Sequence, residues 1–405
     1  MSRLQGKHVV VGVTGGIAAY KACELVRRLD DRGALVTVIM TEGATEFVTP
    51  LTFEALTKRP VAVDTFAPGQ ESSIGHIDVA DRADLLVVAP ATANTLAKAA
   101  AGVADNMLLT VLLAARCPMV FCPAMNVNMY THPAVQRNIS TLRSWGRAFV
   151  VEPGEGELAC GWEGLGRLAE PEVIVDWCER ALADQDMAGE RVLVTAGATR
   201  EYLDPVRFIS NPSTGKMGFA MAREAWLRGA EVVVIAAHTE APLPPEVEVV
   251  RVTDARAMKE AVLDRLEWAS VVVKAAAVGD WTPAERWKEK MEKRKGGGTM
   301  ELKLLRTDDI LAEVGRRKGE RFVVGFAAET GNPKTKAARK LRDKNADLVV
   351  ANDVTLEGAG FGSDTNAVWL IEPGGKAEQL PLMDKRDVAR RVFDRVVKMK
   401  RKKHK

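Results

Sequence analysis

Short apolar runs, rich in valine and isoleucine, recur along the chain and are separated by stretches of helical periodicity. Residues 7–13 form the first run, followed by the turn Thr14-Gly15-Gly16 and a helical pattern over 17–32. Further runs lie at 35–40, 85–89 and 119–122, with a helix over 107–116. Strands apolar on both faces and separated by helices predict a parallel sheet covered on both sides. The pattern breaks over 183–189, at Asp184, Gln185 and Asp186, and then restarts. Strands are predicted at 191–195, 231–236, 270–274, 322–326 and 348–351, with a helix at 215–228. The fold class is therefore α/β, with two Rossmann-like domains, residues 1–188 and 189–405. Residues 288–298, charged and then glycine-rich, cannot bury a face and predict a mobile flap. The basic tail, 398–405, predicts a solvated and frayed terminus.

Composition narrows the class. A chain of 405 residues exceeds one ordinary core. Its 47% hydrophobic and 27% charged content fits a globular protein, and most of its basic excess, a net charge of +3, sits in the tail 398–405, which could brush nucleic acid or lipid but reads first as a solvated terminus. Tyrosine and phenylalanine are sparse, which weakens any base-stacking surface. No apolar run is long enough to cross a bilayer, and the first residues lack a signal-peptide core. Five scattered cysteines give no disulfide framework, CxxC pair or zinc spacing. These features predict a cytoplasmic protein with no membrane or nucleic-acid partner.

The candidate chemistry of the first half sits where strands end. Asn126, in Pro123-Ala124-Met125-Asn126, follows the run at 119–122, at the ligand-binding edge of a parallel sheet. His76 lies in Gly-His-Ile-Asp, and Cys160 lies in the glycine-rich segment 154–167. An amide, an imidazole and a loop thiol point to acid–base work on a small ligand. The turn at Gly15-Gly16 opens a helix and can cradle a phosphate, to which Thr41 can add a hydroxyl. It lacks the full dinucleotide fingerprint, and a tight turn is the competing reading. The loop Ala89-Pro90-Ala91-Thr92-Ala93-Asn94 can pack against a flat ring, or can simply be a connection capped by Thr92 or Asn94.

In this order and spacing the segments resemble the phosphopantothenoylcysteine decarboxylases, flavin enzymes with a flavodoxin-like fold. The resemblance implies FMN held by Thr14, Gly15, Gly16, Ile17, Thr41, Ala91, Thr92, Asn94, Ala124 and Met125. It also implies roles in decarboxylation. Asn126 would hold the substrate carboxylate, His76 would act as base or orient the substrate, and Cys160 would protonate the enethiolate product of decarboxylation. Gly156, Gly161, Gly164 and Gly166 would let the segment around Cys160 fold over the ligand.

The second half carries Thr195 to Gly218, a polar, glycine-containing string between strand and helix. Ser213-Thr214-Gly215 suits a phosphate at a helix start. Small residues Ala275, Ala276 and Ala277 follow a strand and leave room for a nucleoside. Lys340 and Lys344 are spaced for one helix face, which on its own is usually a solvated face. The string, with Asp280, Lys290, Thr307-Asp308-Asp309-Ile310 and Phe326, resembles the phosphopantothenate–cysteine ligases. The resemblance implies CTP contacts at Ser213, Gly215, Ala275, Ala276, Ala277, Asp280, Lys290, Thr307, Asp308, Asp309, Ile310, Phe326, Lys340 and Lys344. Asn211 would stabilise an acyl-nucleotide, and Arg207 would meet a phosphate or carboxylate of the substrate. Mg2+ would accompany the triphosphate, and protein metal ligands stay unassigned.

The implied protein is bifunctional. It joins L-cysteine to 4′-phosphopantothenate through an acyl-cytidylate, then decarboxylates the product to 4′-phosphopantetheine. Family assemblies imply a homo-oligomer with a trimeric decarboxylase core and paired ligase domains, up to a dodecamer. Three alternatives compete: a flavin prenyltransferase, a non-enzymatic flavin-binding regulator and a dehydrogenase. The first needs neither Cys160 nor a ligase half, and the second should lack part of the His76, Asn126 and Cys160 set. The third should carry a full glycine fingerprint.

Overall fold

The computed structural model describes residues 2–63, 75–157, 163–241, 243, 246–291, 299–329, 333–356 and 358–403. The chain forms two compact units, 1–184 and 185–405.

In the first unit the apolar runs become β1 (His8–Val13), β2 (Leu35–Met40), β3 (Leu85–Ala91), β4 (Met119–Pro123) and β5 (Ala148–Val150). Every pairing among them is parallel, in the order β2-β1-β3-β4-β5, which is the flavodoxin-like winding. β3 is buried throughout because helices cover both faces. Helices Ala19–Asp31 and Pro171–Ala181 lie on one side, and Ala93–Ala101, Met107–Ala114 and Pro133–Arg143 on the other. An antiparallel hairpin of β6 (Gly154–Glu157) and β7 (Glu163–Arg167) follows the sheet.

The second unit contains β8 (Arg191–Ala196), a small hairpin of β9 (Arg200–Tyr202) and β10 (Phe208–Ser210), β11 (Glu231–Ala236), β12 (Glu248–Arg251) and β13 (Val271–Lys274). A second small hairpin pairs β14 (Trp281–Pro283) with β15 (Leu304–Arg306). The main sheet continues with β16 (Phe322–Glu329), β17 (Leu348–Asp353), β18 (Thr365–Ile371) and β19 (Ala377–Asp384). Its order is β12-β11-β8-β13-β16-β17-β18-β19, with the first six parallel and the last two antiparallel. Six parallel strands that wind outward from β8 in both directions form the Rossmann arrangement.

One expectation changes. The tail is not frayed at 398–403: helix Lys385–Lys403 runs through it. Val388, Val392, Phe393 and Val396 of this helix are buried, and Lys400 reaches Glu190 at 2.5 Å. An apolar stripe docks the helix despite its basic sequence. Of the expected flap, 292–298 lies outside the described residues, while Met291 is tied through its N–H to Asp204 at 3.1 Å.

Candidate functional sites

Both sheets reverse their strand order at one point, and a buried threonine bridges each reversal. In the first unit Thr14, leaving β1, donates to the Pro90 carbonyl at 2.7 Å and accepts from the Thr92 N–H at 3.1 Å. The loops after β1 and β3 are thereby joined where open α/β sheets hold ligands. In the second unit the Thr195 hydroxyl, at the end of β8, accepts the Ala276 N–H at 3.1 Å, just past β13.

Around the first reversal, backbone approaches backbone. A Cβ on Gly15 would stand 2.7 Å from the carbonyl carbon of Gly43. Thr41, the residue before helix Glu42–Thr45, donates its N–H to Val13 at 3.0 Å. Thr92 caps helix Ala93–Ala101, accepting from Thr95 N–H at 3.3 Å, so the structural reading of that residue holds whatever else it does. Beyond β4, Met125 donates its N–H to Gly166 at 3.0 Å, which lays the hairpin against the Asn126 segment. Asn126 caps helix Val127–Thr131 through Oδ1, 2.8 Å from the Asn128 N–H. An amide used this way turns its NH2, a donor, away from the cap.

These segments enclose a cavity of about 900 Å3, large enough for a cofactor and substrate. Gly15, Gly16, Ile17, Thr92, Ala124, Met125 and Asn126 line it. Pro90 of the anticipated loop lines it too, as do Lys21 and Met129, which the helical pattern does not mark. Lys21 pairs with Glu170 at 3.1 Å. Thr14 and Ala91 are buried in the framework, and Thr41 and Asn94 do not line the cavity. His76 starts helix His76–Arg82 and is not among the lining residues. Cys160 falls in 158–162, outside the described residues. The lining contains small and apolar residues beside a glycine turn at a helix N-terminus, an environment that fits a flat ring with a phosphate arm.

In the second unit three loops interlock at the carboxyl ends of β8 and β13. Thr199 accepts the Gly279 N–H at 2.9 Å, and Thr307 donates to Gly279 at 2.6 Å while its N–H meets Asp280 at 3.0 Å. Ala275, Ala276 and Ala277 are half-buried between these loops, and Asp280 is exposed. Asn211 is exposed and donates its amide to Val278 at 3.3 Å, which places it beside the same loop. Gly215 has φ +81°, and a Cβ there would stand 2.6 Å from the Thr239 methyl, so only glycine fits before helix Lys216–Leu227.

Asp309 caps helix Ile310–Arg316 through the Ala312 N–H at 2.8 Å and pairs with Lys344 at 2.7 Å. Burial raises its carboxyl affinity for protons, but Lys344 and the capped N–H outweigh that and hold it below the usual range. Ile310 is buried behind it, and Asp308 pairs with Lys259 at 2.7 Å. Lys340 donates to the Phe326 carbonyl at 2.8 Å, and burial depresses its proton affinity. Lys340 and Lys344 are thus turned into a charged cluster, not onto a solvated face. Arg207 lies 3.6 Å from the buried Asp204 carboxylate, on the β9–β10 hairpin. Asp204, which the sequence pattern did not flag, accepts N–H groups from Val206, Arg207 and Met291. Lys290 is exposed next to Met291, and Ser213 is half-buried in the turn before Gly215.

A loop at 360–364 covers that turn. Thr214 donates to Phe361 at 3.2 Å, and Lys216 reaches Gly362 at 3.0 Å and Asp364 at 2.6 Å. Lys385 donates to Gly360 at 3.4 Å, to Phe361 at 3.3 Å and also to Ser363. Among the described residues no cluster of three His, Cys, Asp or Glu could hold a metal ion.

Residues 1–183 match the family model Flavoprotein, and residues 187–399 match the model of the DNA/pantothenate metabolism flavoprotein C-terminal domain. The chain is 50% identical over 397 residues to the coenzyme A biosynthesis bifunctional protein CoaBC of Bacillus subtilis, covering 97% of each. The protein of the same name from Mycobacterium tuberculosis is 46% identical over 408 residues, covering 96% of each. A crystal structure of the C-terminal domain of such a protein is 38% identical and covers 53% of this chain and 98% of its own, with a TM-score of 0.46.

Proposed function

The chain belongs to the family of bifunctional coenzyme A biosynthesis proteins, a flavoprotein decarboxylase joined to a ligase, and on that premise we propose how its two sites divide the work. The second unit joins 4′-phosphopantothenate to L-cysteine with CTP and Mg2+. The first uses FMN to decarboxylate the resulting phosphopantothenoylcysteine to 4′-phosphopantetheine. The observation that carries the reading is the convergence of Gly15–Ile17, Thr92 and Ala124–Asn126 on one cavity at the sheet reversal.

In the ligase a carboxylate oxygen attacks the α-phosphorus of the triphosphate, pyrophosphate leaves, and the cysteine amine then displaces the nucleotide to form the amide. Asn211, beside the 275–280 loop, donates to the acyl-nucleotide. Lys340, Lys344 and Lys290 meet the phosphates or base, and Ser213 and Gly215 a phosphate. Mg2+ would accompany the triphosphate and offset its charge.

In the decarboxylase the substrate carboxylate leaves as carbon dioxide, its electron pair stays on the substrate, and one proton replaces it. FMN supplies a two-electron sink that is refilled within the turnover. The Asn126 NH2 orients the carboxylate, and Cys160 delivers the proton. Cys160→Ser is expected to accumulate the unsaturated thiol by mass spectrometry; saturated product at the normal rate would remove that role.

His76 does not line its own chain's cavity. Ile17 and Tyr20, at the cavity, are 61% and 60% exposed, and Ile77 beside His76 is 54% exposed. These apolar surfaces favour a homo-oligomer that brings His76 of one copy to the cavity of another. Mixing His76→Asn with Asn126→Asp subunits should then restore about a quarter or more of decarboxylase activity; two inactive parents giving an inactive mixture would argue for a site within one chain. No described helix is long and apolar enough to cross a membrane, and we infer a cytoplasmic enzyme from the substrates proposed. The decisive experiment supplies 4′-phosphopantothenate, cysteine and Mg2+ with either CTP or ATP. 4′-Phosphopantetheine with CTP supports the whole scheme, product with ATP alone reverses the nucleotide, and no product defeats it.

A further inference from the structure

Lys274 is the last residue of β13, the strand at the reversal point of the second sheet, in register with Thr195 of β8 and Gly325 of β16. It is 7% exposed. Its Nζ lies 3.8 Å from the Met258 sulfur of helix Ala255–Asp264, and a thioether carries no charge. Lys385 and Lys340 bond backbone carbonyls, and several other sequestered cations of this unit have carboxylates at hand. Arg228 bonds Asp186 at 2.8 Å, Lys318 meets Asp347 at 3.1 Å, and Lys344 holds Asp309 at 2.7 Å.

The charged groups around Lys274 are already engaged. From helix Ala255–Asp264, Lys259 is turned to Asp308. From the cap of helix Ile310–Arg316 comes Asp309, shared with Lys344 and the Ala312 N–H. From helix Pro333–Asp343 comes Lys340, of like sign, whose own acidic neighbours are Glu329, Asp309 and Asp280. Burial, then the charge of Lys340, bring the Lys274 ammonium down to about 7, against a smaller pull from Asp309. A methionine or leucine would fill this apolar place without a desolvation cost. An amine kept there, next to the loop Ala275–Ala277, serves when an anion arrives.

We propose that Lys274 is a positioning residue of the ligase nucleotide site, an inner amine that takes up a proton as the triphosphate binds and balances part of its charge. The inference rests on the ligase reading above and deepens it. It makes nucleotide binding a coupled reaction: triphosphate and proton enter together, and both leave with pyrophosphate and nucleotide.

Calorimetry of CTP with Mg2+ binding to the full-length protein at pH 7.5, in two buffers of different ionisation enthalpy, reads the proton directly. The wild type should take up a substantial fraction of one proton. Lys274→Met should lose most of that uptake and bind CTP about tenfold more weakly. Lys274→Arg, permanently charged, should bind without uptake. CTP binding with unchanged proton uptake in Lys274→Met overturns the role of Lys274 and leaves the ligase reading intact. Failure of the wild type to bind either CTP or ATP defeats both. Melting curves of each variant separate these outcomes from misfolding.

Discussion

A methyl group on Gly15 would collide with the backbone of Gly43. Two main chains meet there, and neither can move without dragging β1 or the loop after β2. Gly15→Ala is expected to strip most of the flavin absorbance from the purified protein while sparing the ligase; full retention of colour would show that the approach is not needed. Asn211→Asp should lower ligase turnover on the order of a hundredfold, with decarboxylase assayed on supplied phosphopantothenoylcysteine unchanged. Lys274 has a thermodynamic signature as well. Its proton affinity is depressed in the folded state, so between about pH 7 and the ordinary lysine value the unfolded chain binds more protons. Stability of the second unit should therefore rise with pH across that window and be lowest below it. Lys274→Met should flatten this slope in thermal melts. None of this is visible from residue type: Lys274 looks like the polar end of a strand, and Thr14 looks like a phosphate ligand. Their partners, Met258 and Pro90, come from other elements of the fold.

Secondary elements were legible where burial is two-sided. β2 and β11 run as read because apolar residues fill all but one position of each strand. Strand ends were read short: β3 continues through Pro90 and Ala91, and β16 to Glu329, since polar and small residues there still extend the chain. The C-terminal helix was missed because lysine and arginine dominate its composition, while its docking stripe needs few apolar residues. Among candidate ligands, Gly15–Ile17 and Ala124–Asn126 meet at one cavity, whereas His76 stands apart from it. A motif gives sequence order, but not which sheet edge a helix start will face. At this scale the clasp of Lys385 is testable. Lys385→Met leaves the carbonyls of 360, 361 and 363 without their shared donor, so ligase activity should fall several-fold with the decarboxylase unaffected. Equal ligase rates would make the loop a bystander.

Each unit is built on one main sheet, bridged by a threonine at its reversal. Cleavage engineered within 183–189 should release two folded pieces, one coloured and one able to ligate. Aggregation of both pieces would mean the units depend on each other. The Lys385 contact has a consequence for biosynthesis of the protein itself. The Ser213–Gly215 turn is covered by a loop whose Phe361 leaves the ribosome 147 positions after Thr214, and Lys385, which fastens that loop, follows 24 positions later still. The first sheet, by contrast, is complete once Val150 has emerged. A growing chain can therefore mature its flavin site long before its ligase site, and a prematurely terminated one would be coloured yet unable to make the amide.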